Sequence, residues 1–325
     1  MRVLLTGSSG WLGRYLAPLL TENGHSVTGL DVVPGAHTQV IGTVADRALI
    51  DRTMGEHGIE AIVHGGALHK PDIARYPRQA FVDVNVTGTL NLIEAAVAAG
   101  NDRFLFTSTT SLMVRADVRA GAGATGAWWM DENFGPIEPR NIYGITKLAA
   151  EQAVKLVHHE HGIHVAILRT GRFFPEDDDT HTAPSGPNLK ANELLNRRLT
   201  VEDAAAAHLA ALEAAPRIGC DTFILSAPPP FGRDEAEELA RDARAVIARH
   251  HPDAAELYAA RGWVLPATID RVYDPSRAER RFGWRAKSDF GSVLAALRSS
   301  SPLPFAHDPD YTSPIVLQER DACMC

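Results

Sequence analysis

Cysteine is scarce in this chain: Cys220, Cys323 and Cys325 are the three in 325 residues. That excludes a disulfide-stapled secreted scaffold and fits a reducing compartment. The terminal Cys323-Met324-Cys325 reads as a fraying end rather than a metal site. No apolar run approaches the length needed to span a bilayer, so no membrane partner is expected. No signal peptide is expected ahead of a first strand that starts at residue 2 or 3, and the expected location is cytoplasmic. Positive charge is in deficit, with 32 Lys and Arg against 40 Asp and Glu, a net charge of −8 and no basic stripe. Nucleic acid is therefore not an expected partner. There is no internal repeat. What is present is 45% hydrophobic content, enough to build one large α/β domain with a smaller appendage.

The most informative stretch is the first. Val3-Leu4-Leu5 reads as a buried strand, and Trp11 begins a segment with apolar residues at helical spacing. Between them lie Gly7, Gly10 and Gly13. Gly7 permits a tight turn, Gly10 lets backbone approach a pyrophosphate, and Gly13 lets the helix pack on the strand. The first N–H groups of that helix, at Trp11 and Leu12, are unpaired and lie at its positive end. A second strand closes on Asp31, whose carboxylate suits an adenosine ribose and repels a 2′-phosphate. Val32 and Val33 follow, with no basic residue, so NAD is expected over NADP.

Strands are expected near 2–6, 26–31, 39–44, 60–64, 103–107, 164–168 and 221–226. Helices are expected near 11–22, 47–57, 77–99, 143–160, 202–214, 234–249 and 289–298. The alternation implies an α/β fold with a doubly wound parallel sheet. Three stretches interrupt it. Residues 115–125, small and glycine-rich, run into Trp128-Trp129 and read either as a lid or as a loop anchored by core tryptophans. Residues 176–192 read as an irregular surface segment. Residues 299–325 read as a wrapping tail or disorder.

Downstream, Tyr143 and Lys147 are spaced one helical turn apart. A lysine there can stabilise tyrosinate and lower the tyrosine pKa toward neutrality, which a base for an alcohol proton requires. With these motifs the chain resembles the extended short-chain dehydrogenase/reductase family of nucleotide-sugar epimerases and dehydratases. The likeness covers residues 6–13, Asp31, Asp46, residues 64–67, Asn85, residues 104–109, 143–147, 168–169, 201–203 and 274–284. It implies a Rossmann sheet, NAD as cofactor, and a triad of Thr109, Tyr143 and Lys147, with Ser108 as the competing hydroxyl. It also implies that Asp46, with backbone help from Arg47, meets the adenine. Gly65, Gly66 and Ala67 let backbone approach the cofactor, which Ser108 also lines, and Asn85 braces the active-site strand. In the family the counterparts of helices 81–99 and 143–160 pair across a two-fold axis, which implies a homodimer.

Two departures narrow the activity. Dehydratases carry Asp-Glu after the catalytic hydroxyl, and here those positions are Thr110 and Ser111, which cannot expel water. The connection from Arg169 to Val201 is short, and Arg172 replaces the usual asparagine. With residues 223–227 and His251-Pro252, this is similar to the compact sugar-acid (hexuronate) dehydrogenase branch. Arg172, Arg197 and Arg198 are the candidates for a substrate carboxylate. His69 and Lys70 follow the fourth strand and are candidate substrate contacts, as are Thr110 and Ser111. His158, His159, Glu160, His161 and His164 cluster at a helix end, where the dipole accounts for them, and no metal is expected.

The expected organisation is a Rossmann core over 1–170, completed by 201–227, with a substrate region over 171–200 and 228–325. The expected function is hydride transfer between NAD and a small, carbohydrate-like, anionic substrate. A nucleotide-sugar epimerase with retained NAD and a non-catalytic NAD-sensing regulator are the alternatives.

Overall fold

Val3, Leu4 and Leu5 are all fully buried, as a strand covered on both faces requires. The computed structural model describes residues 1–121, 126–176, 184 and 186–323. Its strands are β1 (Arg2–Thr6), β2 (Ser26–Asp31), β3 (Val40–Ile41), β4 (Ala61–His64), β5 (Arg103–Thr109), β6 (Trp128–Met130), β7 (His164–Thr170), β8 (Cys220–Leu225) and β9 (Arg271–Tyr273). Seven of them form one sheet in the order β3-β2-β1-β4-β5-β7-β8, and β6 pairs with β9 separately. Every pairing is parallel. The strand order reverses direction between β1 and β4. That is where open α/β sheets form a crevice at their carboxyl edge.

The helices are α1 (Trp11–Glu22), α2 (Arg47–His57), α3 (Arg78–Val82), α4 (Gly88–Ala98), α5 (Ala116–Ala120), α6 (Ile142–His161), α7 (Gly186–Glu193), α8 (Val201–Ile218), α9 (Ala236–His250), α10 (Ala254–Ala260), α11 (Ser276–Phe282), α12 (Phe290–Ser299) and α13 (Pro314–Cys323). Alternate strand residues feed two core layers. Val3, Leu5, Val63, Leu105 and Leu168 pack with α1 and α8. Leu4, Ile62, Phe104, Phe106 and Ile167 pack with α2, α4 and α6. A third apolar cluster joins α7, α9, α10 and α12. Asp203 ties this region to the core, accepting from the backbone N–H groups of Lys287 and Ser288 at 2.8 and 3.0 Å.

The expected alternation is present, with local differences and with some open alternatives decided. The third strand shrinks to Val40–Ile41. Residues 186–193 of the expected irregular segment are helical, while 177–183 and 185 lie outside the described residues. The 299–325 tail is docked and ends in α13, with 324 and 325, and so the Cys323/Cys325 pair as a unit, outside the described residues. Trp128 and Trp129 are half-buried in β6, and Trp129 Nε1 donates to Asp274 at 3.2 Å. That fits the anchored-loop reading; 122–125 lie outside the described residues.

Candidate active site

The glycine turn, Asp31, the 65–67 loop and Thr109 lie at or beyond the carboxyl ends of β1, β2, β4 and β5, while Tyr143 and Lys147 lie on α6. After β1, Gly7 has φ +77°, and a Cβ on it would come within 2.8 Å of Gly66 N. Glycine is required there both by conformation and by the backbone of the next loop. A Cβ on Gly13 would collide with Gly7 O, whereas one on Gly10 would meet only Gly7 O, at 3.2 Å. Gly10 is the N-cap of α1 and makes no side-chain cap bond. The N–H groups of Trp11 and Leu12 lie in that first turn, where they lack intrahelical partners. This cradle of bare backbone at a helix start fits the pyrophosphate of NAD. Asp31 accepts from Ser9 N at 3.0 Å and Val33 N at 3.2 Å. Burial nonetheless raises its pKa. Asp46 caps α2 by accepting from Leu49 N at 3.0 Å. The Arg47 side chain is spent on Asp51 and Glu94, so only its backbone faces the expected role.

The loop after β4 is stitched to β1. Gly65 N donates to Thr6 O, Gly66 N donates to Thr6 Oγ1, and Ala67 follows. His64 lies beneath, fully buried between Thr6 Oγ1 and Thr89 Oγ1. Thr89 spends its own proton on Asn85 O, so His64 Nε2 donates and Nδ1 accepts. Burial keeps this ring neutral, with its pKa well below the usual value. A single π-turn over Asp83–Thr87 links α3 to α4 and holds Asn85 buried. Asn85 accepts from Leu68 N and donates to Leu68 O and Thr146 Oγ1. It clamps the post-β4 loop to α6.

Asn141 caps α6 by accepting from Gly144 N, and the helix carries Tyr143 and Lys147, both buried. Tyr143 sits in an apolar nest with Leu68 and Phe81. Burial pushes its pKa up to about 12, opposed by a hydrogen bond with Thr109. Lys147 Nζ donates to Thr107 O at 2.6 Å and lies 4.0 Å above the Phe106 ring. Burial pulls it down to about 7, opposed by Glu151. The expected lowering of the tyrosine by the lysine is therefore not present in this state. Desolvation outweighs it, and the ammonium is committed to a carbonyl.

Thr109 and Ser108, the two competing hydroxyls, are separated by strand alternation. Ser108 Oγ donates to Glu151 at 2.6 Å inside the core, while Thr109 faces the phenol. Thr110 Oγ1 donates to Thr170 O, and Ser111 N donates to Thr109 Oγ1. The His69 ring lies 6.0 Å from Tyr143 and 6.1 Å from Phe174, so it lines the cleft. Lys70 is exposed. Beyond β7, Glu193 gathers the three arginines: Arg198 Nη1 at 2.7 Å, Arg197 Nη2 at 2.9 Å and Arg172 Nε at 3.7 Å. Arg197 and Arg198 are nearly enclosed, whereas the Arg172 side chain is 38% exposed.

Three groups escaped the sequence. Glu151 is fully buried and takes a bidentate pair of bonds from Arg169. Its position four residues after Lys147, on the helix face that enters the core, was the available signal. His208, also buried, bonds Ala204 O through Nδ1 and accepts from Thr107 Oγ1 at Nε2. Glu193 shows no signal in the sequence beyond its proximity to Arg197 and Arg198.

A model of the NAD dependent epimerase/dehydratase family matches residues 3–222. UDP-glucose 4-epimerase of Rhizobium meliloti (strain 1021) is 32% identical over 174 residues, 51% of this chain and 50% of that protein. The 3-beta-hydroxysteroid dehydrogenase of Mycolicibacterium neoaurum is 30% identical over 189 residues, 55% and 49% respectively. The chain thus spans about half the length of these curated relatives. Among solved structures, a short-chain dehydrogenase/reductase superfamily protein from Agrobacterium tumefaciens with bound NAD superposes with TM-score 0.63 at 19% identity, covering 100% of this chain and 99% of that one. A mutated uronate dehydrogenase gives 0.61 at 19%, covering 99% and 98%. These two likenesses establish the shared fold.

Proposed function

The chain belongs to the NAD dependent epimerase/dehydratase family, and from that premise we propose that it is an NAD-dependent dehydrogenase of a small, anionic, carbohydrate-like substrate. NAD, when bound, supplies the hydride acceptor. The cradle of Gly7, Gly10 and Gly13 would hold its pyrophosphate, Asp31 its adenosine ribose, and Asp46 its adenine. Thr109 steadies the reacting oxygen, Tyr143 Oη exchanges the proton with it, and Lys147 supplies the positive charge that makes tyrosinate accessible. With the phenol near 12 and the lysine near 7, base action calls for the protonated form of Lys147. Residues 1–170 with 201–227 form the cofactor half in this reading, and 171–200 with 228–325 the substrate half. No helix among the described residues is long and apolar enough to cross a membrane, and we place the enzyme in the cytoplasm. The α6 face carrying exposed Ile145 and Leu156 supports a homodimer built on that helix.

The observation that carries the substrate reading is the placement of Arg172. Glu193 pairs with all three arginines, and of these the Arg172 side chain is the most exposed, at 38%. It stands two residues before Phe174, which neighbours His69 beside Tyr143. In this reading a carboxylate held by Arg172 would set its adjoining carbinol carbons toward the phenol. Arg172→Ala should raise KM for an acidic substrate far more than for its neutral analogue. Equal effects on both would remove the carboxylate from the reading. The second reading, a nucleotide-sugar epimerase that retains NAD, is supported by the 32% identity to a UDP-glucose 4-epimerase.

A further inference from the structure

The C-terminal tail crosses the mouth of the cleft. Leu303 and Phe305 pack on the third apolar cluster. Buried Lys190 of α7 then holds the next turn, donating to Ala306 O at 3.3 Å and approaching His307 Nδ1 at 2.8 Å. Asp308 N donates to Pro175 O at 2.9 Å, on the segment that leaves β7. Tyr311 meets Trp11 edge to face, with ring centroids 5.2 Å apart. The Arg14 guanidinium lies within 5.6 Å of both rings. At the far side, Glu319 bonds Arg75 Nη2 and Tyr76 Oη, just beyond the turn Lys70–Ala74 that follows the His69 loop.

These contacts run from the post-β7 segment, over the first turn of α1, to the post-β4 loop. Trp11 is the first residue of α1, and its side chain is itself fixed by Nε1 donating to Phe173 O at 3.1 Å. The tail is therefore fastened to both banks of the cleft and to the helix start that receives the pyrophosphate. We propose that residues 303–319 form a strap over the cofactor, with Tyr311 and Glu319 the specificity-determining residues that slow NAD departure and limit substrate size. The inference rests on the reading of the glycine turn as the NAD site. At its far end the strap is held by the part-exposed Glu319–Arg75 pair, the Tyr76 hydroxyl and the contact of Tyr311 with Trp11 and Arg14, side-chain contacts that open without unfolding the core. Its opening rate then sets cofactor exchange, and the size limit of the proposal is that the closed strap bars a second nucleotide alongside NAD.

The test uses the full chain with Tyr311→Ala, Glu319→Gln and the double substitution. NAD dissociation is followed by stopped-flow displacement, and folding by the thermal transition. Tyr311 and Glu319 are both part-buried and neither belongs to a core cluster, so the fold should survive both substitutions with a modest shift of the thermal transition. The double variant should release NAD faster by several-fold, approaching roughly tenfold. It should also gain binding of a UDP-sugar added after NAD, measured by calorimetry. Wild type that binds NAD, paired with a double variant of unchanged dissociation rate, overturns the strap. Wild type that binds no NAD overturns the reading of the glycine turn, and the strap with it.

Discussion

Tyr143 and Lys147 stand one turn apart on α6, and burial moves them in opposite senses, the phenol up to about 12 and the ammonium down to about 7. Both shifts favour the neutral forms, so the site pays for its dryness in basicity and depends on each remaining hydrogen bond. Thr109 is the group that lowers the phenol, and Glu151 the one that raises the lysine. Tyr143→Phe should reduce turnover by about 100-fold or more, the scale of a positioned acid–base group, while NAD affinity, read by calorimetry, stays near the wild-type value. Near-normal turnover in that variant would remove Tyr143 from the chemistry. The tyrosine, the lysine and the glycine turn were legible because each needs a particular residue type at a set spacing. The fate of the proton was not, since sequence spacing carries no information about desolvation.

Among elements, α6 and β7 are bound together by the pair of Glu151 and Arg169, with side-chain exposures of 0% and 3%. Removing one partner of such a pair leaves an unpaired charge in the core and costs about 3–5 kcal/mol. Replacing both with apolar residues of similar volume is often neutral. Glu151→Leu should therefore be severely destabilised in urea unfolding, and Glu151→Leu with Arg169→Met should regain most of the loss. A double variant no more stable than the single one would show that packing, not charge, is the role of this pair. The strands of the sheet were readable because β1, β4, β5 and β7 are covered on both faces and appear as apolar runs bounded by turns. β6 and β9, three residues each, are too short for periodicity to register. α7 has a mixed pattern with Lys190 and Glu193 both buried, which reads as surface to any rule that puts charge outside. The tail was left open between wrapping and disorder because its contacts reach Trp11, Arg75 and Lys190, all remote in sequence.

At the scale of the whole molecule, the exposed Ile145 and Leu156 of α6 mark a face suited to an isologous partner. The chain should sediment and scatter light as a homodimer at micromolar concentration, and Ile145→Lys with Leu156→Lys should yield a folded monomer. A wild-type monomer would leave that face without the proposed role. The proposed function makes net oxidation the outcome of an NAD cleft between β1 and β4 with a phenol beside it, and assigns Arg172 on the post-β7 bank to a substrate carboxylate. The most direct test follows absorbance of NADH at neutral pH with purified protein, NAD and, in parallel, free sugars, sugar acids and UDP-sugars. Accumulation of NADH with a sugar acid, in a one-to-one ratio with oxidised product, is the predicted result. Interconversion of UDP-sugar isomers without net NADH, and silence toward every free sugar and acid, would contradict it.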